Sequence, residues 1–185
     1  YQQSNLVGRV CWTDEIGVKK AIDSAHSAFA QWNSTSVEAR ALCLEKMADL
    51  MEFNTPELIA LCHLEAGKII QDSIDEIREA VDFCRYYATQ ARTHFADALV
   101  MPGPTGESNE LYLQGRGVFA CISPWNFPLA IFIGQVAAAL VAGNTVIAKP
   151  AEQTTLIASR AVELLHQAGI PKDVLHLLAG EGSVV

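Results

Sequence analysis

Positive charge is scarce in this chain. Lys and Arg total 13 against 21 Asp and Glu, which leaves a net charge of −8 over 185 residues and no basic stripe along the sequence. Neutralising a phosphate backbone takes clustered cations, so this region is not a nucleic-acid binder. Cysteine is sparse as well. Cys11, Cys43, Cys62, Cys84 and Cys121 are odd in number and widely spread, with no C-x-x-C pair and no histidine at metal-ligand spacing. That usage points to a reducing, cytoplasmic compartment and to no metal site. Cys43, Cys62, Cys84 and Cys121 stand in apolar surroundings, where a thiol is more often a small hydrophobe than a nucleophile. His26, His63, His94, His166 and His176 are isolated from one another. The first residues, Tyr1-Gln2-Gln3-Ser4, have neither the basic start nor the apolar segment of a signal peptide. Long hydrophobic runs are missing too: the most apolar stretch, residues 129–142, contains Gln135 and stops at Gly143-Asn144. A membrane span needs about 20 apolar residues, so this stretch reads as a buried core helix.

Half of the residues are hydrophobic, ample for a core. The first half of the chain has helical periodicity. Val18, Ile22, Ala25, Phe29 and Trp32 recur at helical spacing, as do Val37, Ala41, Leu44, Ala48 and Met51. Thr55-Pro56-Glu57 starts a third helix, with Thr55 at the N-cap, Pro56 at the first helical position and Gly67 as the stop. Ile70, Ile74, Ile77, Val81, Cys84, Ala88, Ala91 and Phe95 then alternate spacings of four and three, one apolar stripe along about seven turns. A coiled coil is the competing explanation, and Cys and Ala at seam positions make a weak one.

Met101-Pro102-Gly103-Pro104-Thr105-Gly106 ends helical structure, and residues 110–115 follow with period-two character. Residues 99–117 read as a linker and an exposed strand, either an arm that pairs with a second subunit or a plain surface hairpin. After Gly117 the pattern becomes strand Val118–Ile122, helix 129–142, strand Thr145–Lys149, helix Thr155–Ala168 and strand 174–178. Continuous apolar strands alternating with helices predict a parallel sheet covered on both faces, half of a doubly wound nucleotide-binding fold. Gly143 and Gly169 fall where the helices stop. The predicted organisation is α/β: a helical block over residues 1–98, the arm over 99–117, and a β-α-β-α-β half over 118–185. A third strand followed directly by Gly180-Glu181-Gly182-Ser183-Val184-Val185 leaves the half open, and the chain is expected to be an incomplete piece of an enzyme.

In open parallel sheets ligands bind beyond the carboxyl ends of the strands. Three segments qualify: 123–127, Lys149-Pro150-Ala151-Glu152, and Gly180-Glu181-Gly182. Asn126 stands between Pro124-Trp125 and Phe127-Pro128, and its primary amide has N–H donors suited to an oxyanion. The alternative is a turn with a buried ring, since Asn and Pro are ordinary turn residues. Lys149 and Glu152 put an ammonium and a carboxylate where both can hydrogen-bond the hydroxyls of a ribose, and the carboxylate repels a 2′-phosphate, which favours NAD over NADP. A strand-end lysine paired with a helix-entry glutamate is the plain alternative. The G-x-G-x-x-G fingerprint is absent after the first strand; Gly180-x-Gly182 follows the third, with Val185 where the last glycine belongs.

Ile122-Ser123-Pro124-Trp125-Asn126-Phe127-Pro128, followed after one helix by Gly143-Asn144-Thr145-Val146-Ile147-Ala148-Lys149-Pro150-Ala151-Glu152-Gln153-Thr154, resembles the aldehyde dehydrogenase superfamily. Glu65-Ala66-Gly67-Lys68 and the helix bearing Trp32 look like the same family's N-terminal region. Residues 102–111, 115–119 and Cys121-Ile122 are most similar to the glutamate-semialdehyde (pyrroline-5-carboxylate) dehydrogenase module of the bifunctional bacterial proline-utilisation enzymes. The resemblance implies a helical block packed on the first half of a Rossmann-like sheet, with NAD as cofactor and a small aldehyde as substrate. FAD would serve only an upstream proline dehydrogenase module. It implies that Asn126 stabilises the oxyanion, that Lys149 and Glu152 contact the adenosine ribose, and that Ile122, Ser123, Pro124 and Trp125 line the cofactor cleft. Glu79 matches an acidic residue near the substrate entrance, and Phe127 one that touches the substrate's aliphatic part. The family's nucleophilic cysteine and general-base glutamate would lie beyond residue 185, so the chain by itself is expected to be inactive. An aldehyde dehydrogenase of other substrate range, a non-catalytic nucleotide-binding module and a helical assembly protein are the rival readings.

Overall fold

A computed structural model describes residues 6–185; Tyr1 to Ser4, which lack the features of a signal peptide, lie outside them. Four helices come first: α1 (Glu15–Ser34), α2 (Val37–Phe53), α3 (Thr55–Ala66) and α4 (Ile70–Phe95). A two-stranded hairpin follows, β1 (Leu99–Met101) with β2 (Asn109–Leu111), and then β3 (Val118–Ile122), α5 (Ala130–Val141), β4 (Thr145–Lys149), a 3-10 turn at Glu152–Thr154, α6 (Thr155–Ala168) and β5 (Leu175–Leu177). Strands β3, β4 and β5 form a parallel sheet in that order, with Val118 opposite Thr145 and Val146 opposite Leu175. The α/β expectation holds. Among the described residues no helix is long and apolar enough to cross a membrane.

Side chains alternate across β4 and so join two layers. Val146 and Ala148 enter the large core with Phe132, Ile133, Leu140, Ile157 and Leu165, whereas Ile147 enters a smaller cluster with Ala21 and Ala25 of α1. The large core continues into the helical block through Leu44, Met47, Met51, Leu58, Ile77, Val81 and Cys84. β4 is buried up to Lys149, but edge strand β3 leaves Phe119 and Ile122 exposed, so coverage on both faces holds for β4 and not for β3.

Four local expectations change. Thr55 is the first residue of α3 and Asn54 its N-cap. The helices α2 and α3 nearly run together, and the Thr55 hydroxyl donates back to the carbonyls of Met51 and Glu52 instead of capping forward. On α1 the buried face is Ala21, Ala25, Ala28 and Trp32, with Ile22 exposed: the helix lies on the sheet through its small side chains. The α4 stripe is buried over Ile77, Val81, Cys84, Ala88 and Ala91, while Ile70 at its start is exposed. In the 99–117 segment the expected strand over 110–115 shortens to Asn109–Leu111 and pairs antiparallel with Leu99–Met101. Gly67 ends α3 as expected, in the left-handed conformation that an L side chain resists (φ 69°), and Gly143 follows α5 in the same way (φ 92°).

Candidate active site

The parallel ladder runs one residue past β3, where the Ser123 N–H donates to the Lys149 carbonyl at 3.1 Å. Pro124 has no N–H to continue it, and the chain turns away from the sheet. One register step over, Lys149 opposes Ile122 and its ammonium stands 3.7 Å from Oε1 of Glu152, the residue that opens the 3-10 turn. The same Oε1 accepts from the Gly182 N–H at 3.2 Å, so the segment after β5 closes onto the segment after β4. Lys149, Glu152 and Gly182 thus meet at the carboxyl end of the sheet, beside the turn that carries Asn126. Two hydroxyl oxygens there, Ser123 Oγ and Thr154 Oγ1, are buried without a protein partner.

Trp125 is 57% exposed and Phe127 40%, so the turn does not exist to bury a ring. Asn126 is exposed as well, and among the described residues its amide makes no protein hydrogen bond. Its donors are free for a ligand.

What holds this turn comes from far away in sequence. Glu76, 1% exposed on α4, accepts through Oε1 from the N–H groups of Leu129 (2.7 Å) and Ala130 (3.2 Å), the unpaired donors at the start of α5. Its Oε2 takes no conventional hydrogen bond but lies in ion-pair contact with the Lys68 ammonium, which also sits 4.4 Å from the centre of the Phe127 ring. The other end of α5 is served by Trp32, whose Nε1 donates to the Leu140 carbonyl at 3.0 Å, and by Arg40, whose Nε donates to Val141 at 2.9 Å. Burial lowers the Arg40 pKa, but the guanidinium still bridges carbonyls of α1 and α5. Glu65 treats α6 as Glu76 treats α5, accepting from Leu156 (2.6 Å) and Ile157 (2.9 Å).

The sequence profile of the aldehyde dehydrogenase family matches residues 2–185. The chain belongs to that family. It is 45% identical over 184 residues to the bifunctional protein PutA of Klebsiella aerogenes, covering 100% of this chain and 13% of that protein. A crystal structure of a Bradyrhizobium japonicum proline utilization A (PutA) mutant superposes with a TM-score of 0.92 at 53% identity, over 94% of this chain and 18% of that one. A 1-pyrroline-5-carboxylate dehydrogenase from Thermus, solved with bound NAD, gives a TM-score of 0.88 at 36% identity, over 94% and 34%. The chain therefore spans about an eighth to a third of the length of these relatives.

Within this aldehyde dehydrogenase segment, the sequence-predicted residues separate into two places. Ile122 ends β3 opposite Lys149, Ser123 donates to the Lys149 carbonyl, and Pro124, Trp125, Asn126 and Phe127 form the turn that follows. Glu79 is exposed on α4 and lines a shallow recess of about 580 Å³ with Asp75, Arg78, Asp82, Phe83 and Tyr86. Sequence reading missed Lys68 and Glu76, although a signal existed: Glu76 stands four and eight residues before Ala80 and Cys84, on the buried face of α4, and a carboxylate there needs a partner. Burial pushes the thiols of Cys62 and Cys84 up to about 12 and that of Cys121 up to about 11. All three stay protonated at neutral pH and are poor nucleophiles.

Proposed function

We propose that this chain is the cofactor-side segment of an NAD-dependent aldehyde dehydrogenase that oxidises L-glutamate γ-semialdehyde, formed from 1-pyrroline-5-carboxylate, to L-glutamate in proline catabolism. The whole protein is bacterial, cytoplasmic and bifunctional, with an FAD-dependent proline dehydrogenase module elsewhere in its sequence. One observation carries the reading: a free, exposed amide at the end of β3 stands beside an ammonium–carboxylate pair at the end of β4, in a chain whose relatives are PutA and 1-pyrroline-5-carboxylate dehydrogenases.

Asn126 donates from its side-chain amide to the oxygen of the substrate aldehyde as negative charge develops there. Lys149 and Glu152 hold the adenosine ribose through its two hydroxyls, and the Glu152 carboxylate excludes a 2′-phosphate. Ile122, Ser123, Pro124 and Trp125 line the cleft; the unpartnered Ser123 hydroxyl suits a polar ligand atom better than an apolar one. NAD, when bound, supplies the hydride acceptor. Phe127 borders the substrate's aliphatic chain and Glu79 its entrance. Residues 1–98 act as the helical part of the cofactor domain and 118–185 as its first sheet half. The hairpin within 99–117, with Leu99, Val100, Tyr112 and Leu113 exposed, is the arm for pairing with a second subunit, and a monomer in solution would remove that role.

Steady-state kinetics of the full-length protein test the reading. Asn126→Ala is expected to lower turnover about 10²- to 10³-fold. A loss below about tenfold would overturn the oxyanion role. Glutamate semialdehyde should be oxidised with a higher kcat/KM than simple aliphatic aldehydes; equal values would reduce the assignment to an aldehyde dehydrogenase of general range. The 185-residue chain alone should show no NAD-dependent oxidation of the semialdehyde.

A further inference from the structure

The Asn126 turn is anchored at three points. Upstream, the Ser123 N–H joins the sheet through Lys149. Downstream, Glu76 holds the amides of Leu129 and Ala130, and Lys68 covers the Phe127 ring next to Asn126. Lys68 is itself fixed. It follows the left-handed Gly67, its N–H donates to the Cys62 carbonyl at 3.3 Å, and its carbonyl lies 2.8 Å from His63 Nδ1. The segment just after α3, the second turn of α4 and the start of α5 therefore converge through one ion pair beneath one turn.

Helix stability alone does not call for this arrangement. A Ser, Asp or Asn at position 129 would cap α5 locally, whereas a buried carboxylate and ammonium carry a desolvation cost that their attraction only about offsets. What the pair adds is direction. It grips the residues on the carboxyl side of Asn126, whose own amide has no intramolecular partner to aim it.

We propose that Lys68 and Glu76 are the positioning residues for Asn126, fixing where its amide points and so setting the rate of aldehyde oxidation without touching the aldehyde. This rests on the oxyanion role given to Asn126 under Proposed function. Lys68 is probed first because its side chain is 13% exposed, against 0% for that of Glu76, so Met in its place opens less of a cavity.

The test uses the full-length enzyme with Lys68→Met, Lys68→Arg, Asn126→Ala and the double variant Lys68→Met/Asn126→Ala. Lys68→Met should lower kcat by about tenfold or more, the size expected when a reacting group is misplaced by a fraction of an ångström, with KM for aldehyde and Kd for NAD within about twofold. Lys68→Arg, which keeps the cation, should recover to within about threefold of wild type. The double variant should be no slower than Asn126→Ala alone, because a clamp has nothing left to aim. A Lys68→Met loss of less than about threefold, or losses that multiply in the double variant, would overturn the proposal. If Lys68→Met does not fold, Glu76→Gln carries the same measurements: it keeps an acceptor for Leu129 and removes the ion pair. The two failures are distinguishable, since a mild Asn126→Ala sinks the oxyanion role, whereas a severe Asn126→Ala with a mild Lys68→Met sinks only the clamp.

Discussion

Helices α1 and α2 begin on caps supplied by the residue next door, whereas α5 and α6 begin on carboxylates from other helices. Asp14 accepts from the Gly17 N–H at 2.7 Å and Ser36 from Ala39 at 3.2 Å, both three residues away. Neither α5 nor α6 has a side-chain cap of its own; their first amides are bound by Glu76 and Glu65, 53 and 91 residues earlier in the chain. The first pair can form its ends before the fold exists. The second pair cannot, and this makes the sheet half dependent on the helical block. The dependence extends to the far end of α5, where Trp32 reaches across 108 residues to the Leu140 carbonyl. An apolar helix that brings no polar side chain to its termini packs closely on both sides, as α5 does between β4 and α4, and must find its hydrogen bonds elsewhere.

The sharpest way to break this comparison is Glu76→Ala. It leaves two buried amides of α5 unpaired and the Lys68 ammonium without its partner, which should cost about 3 kcal/mol. Hydrogen exchange in the full-length protein reads it locally: protection across residues 129–134 should collapse while the start of α1 is unchanged. Uniform loss over both would mean that Glu76 supports the whole core and not one helix end.

Glu65→Ala should come next, at about 1–2 kcal/mol, because Glu65 is half-buried and water can reach part of the vacated site. Here pH adds a second test. Burial raises the Glu65 pKa above its ordinary 4.5, more than the amides of Ile157 and Leu156 lower it. The folded state therefore holds this proton more tightly than the unfolded state. Stability falls as pH rises from the ordinary value through the raised one, and is gained again on acidification. Glu65→Gln, which does not titrate, should lose that slope in the opening free energy of residues 155–160. An unchanged slope would place its origin in another group.

The same contrast explains how much was legible in the sequence. Periodicity is a local property, so the buried run of α4 from Ile77 to Ala91, the β-α-β-α-β alternation and the glycine stops at Gly67, Gly143 and Gly169 could all be read before folding. The segments bearing Asn126, Lys149 and Glu152 could be read too, since strand ends face ligands in any open parallel sheet. Glu76 was not found because its partners, Leu129, Ala130 and Lys68, are set by the packing of α3, α4 and α5, which no single window contains. Glu79, three residues further on, was singled out by family resemblance and is exposed; the spacing of four and eight to Ala80 and Cys84 marks Glu76 as the buried one. Thr55 misled for a related reason: its local pattern is that of a cap, but α2 ends so close before it that its hydroxyl finds the carbonyls of Met51 and Glu52.

The smallest expected effect tests the self-capped side. Asp14→Ala removes an exposed N-cap, which should cost about 1 kcal/mol, with Ser36→Ala at or below that value. Because the Asp14 bond to Gly17 is made within one turn, the loss should be confined to protection over residues 15–20 and leave residues 129–134 unaltered. One contact complicates this locality. The Thr13 N–H donates to the Ala179 carbonyl at 2.7 Å, so the entry to α1 is tied to the segment after β5 that also supplies Gly182 to Glu152. If Asp14→Ala also weakens NAD affinity in the full-length enzyme, that tie transmits strain to the cofactor side, and α1 belongs with α5 and α6 as a helix whose start serves the site. If affinity is unchanged, the division stands: helix starts capped from within stabilise their own helix, and those capped from across the fold join the helical block to the sheet half.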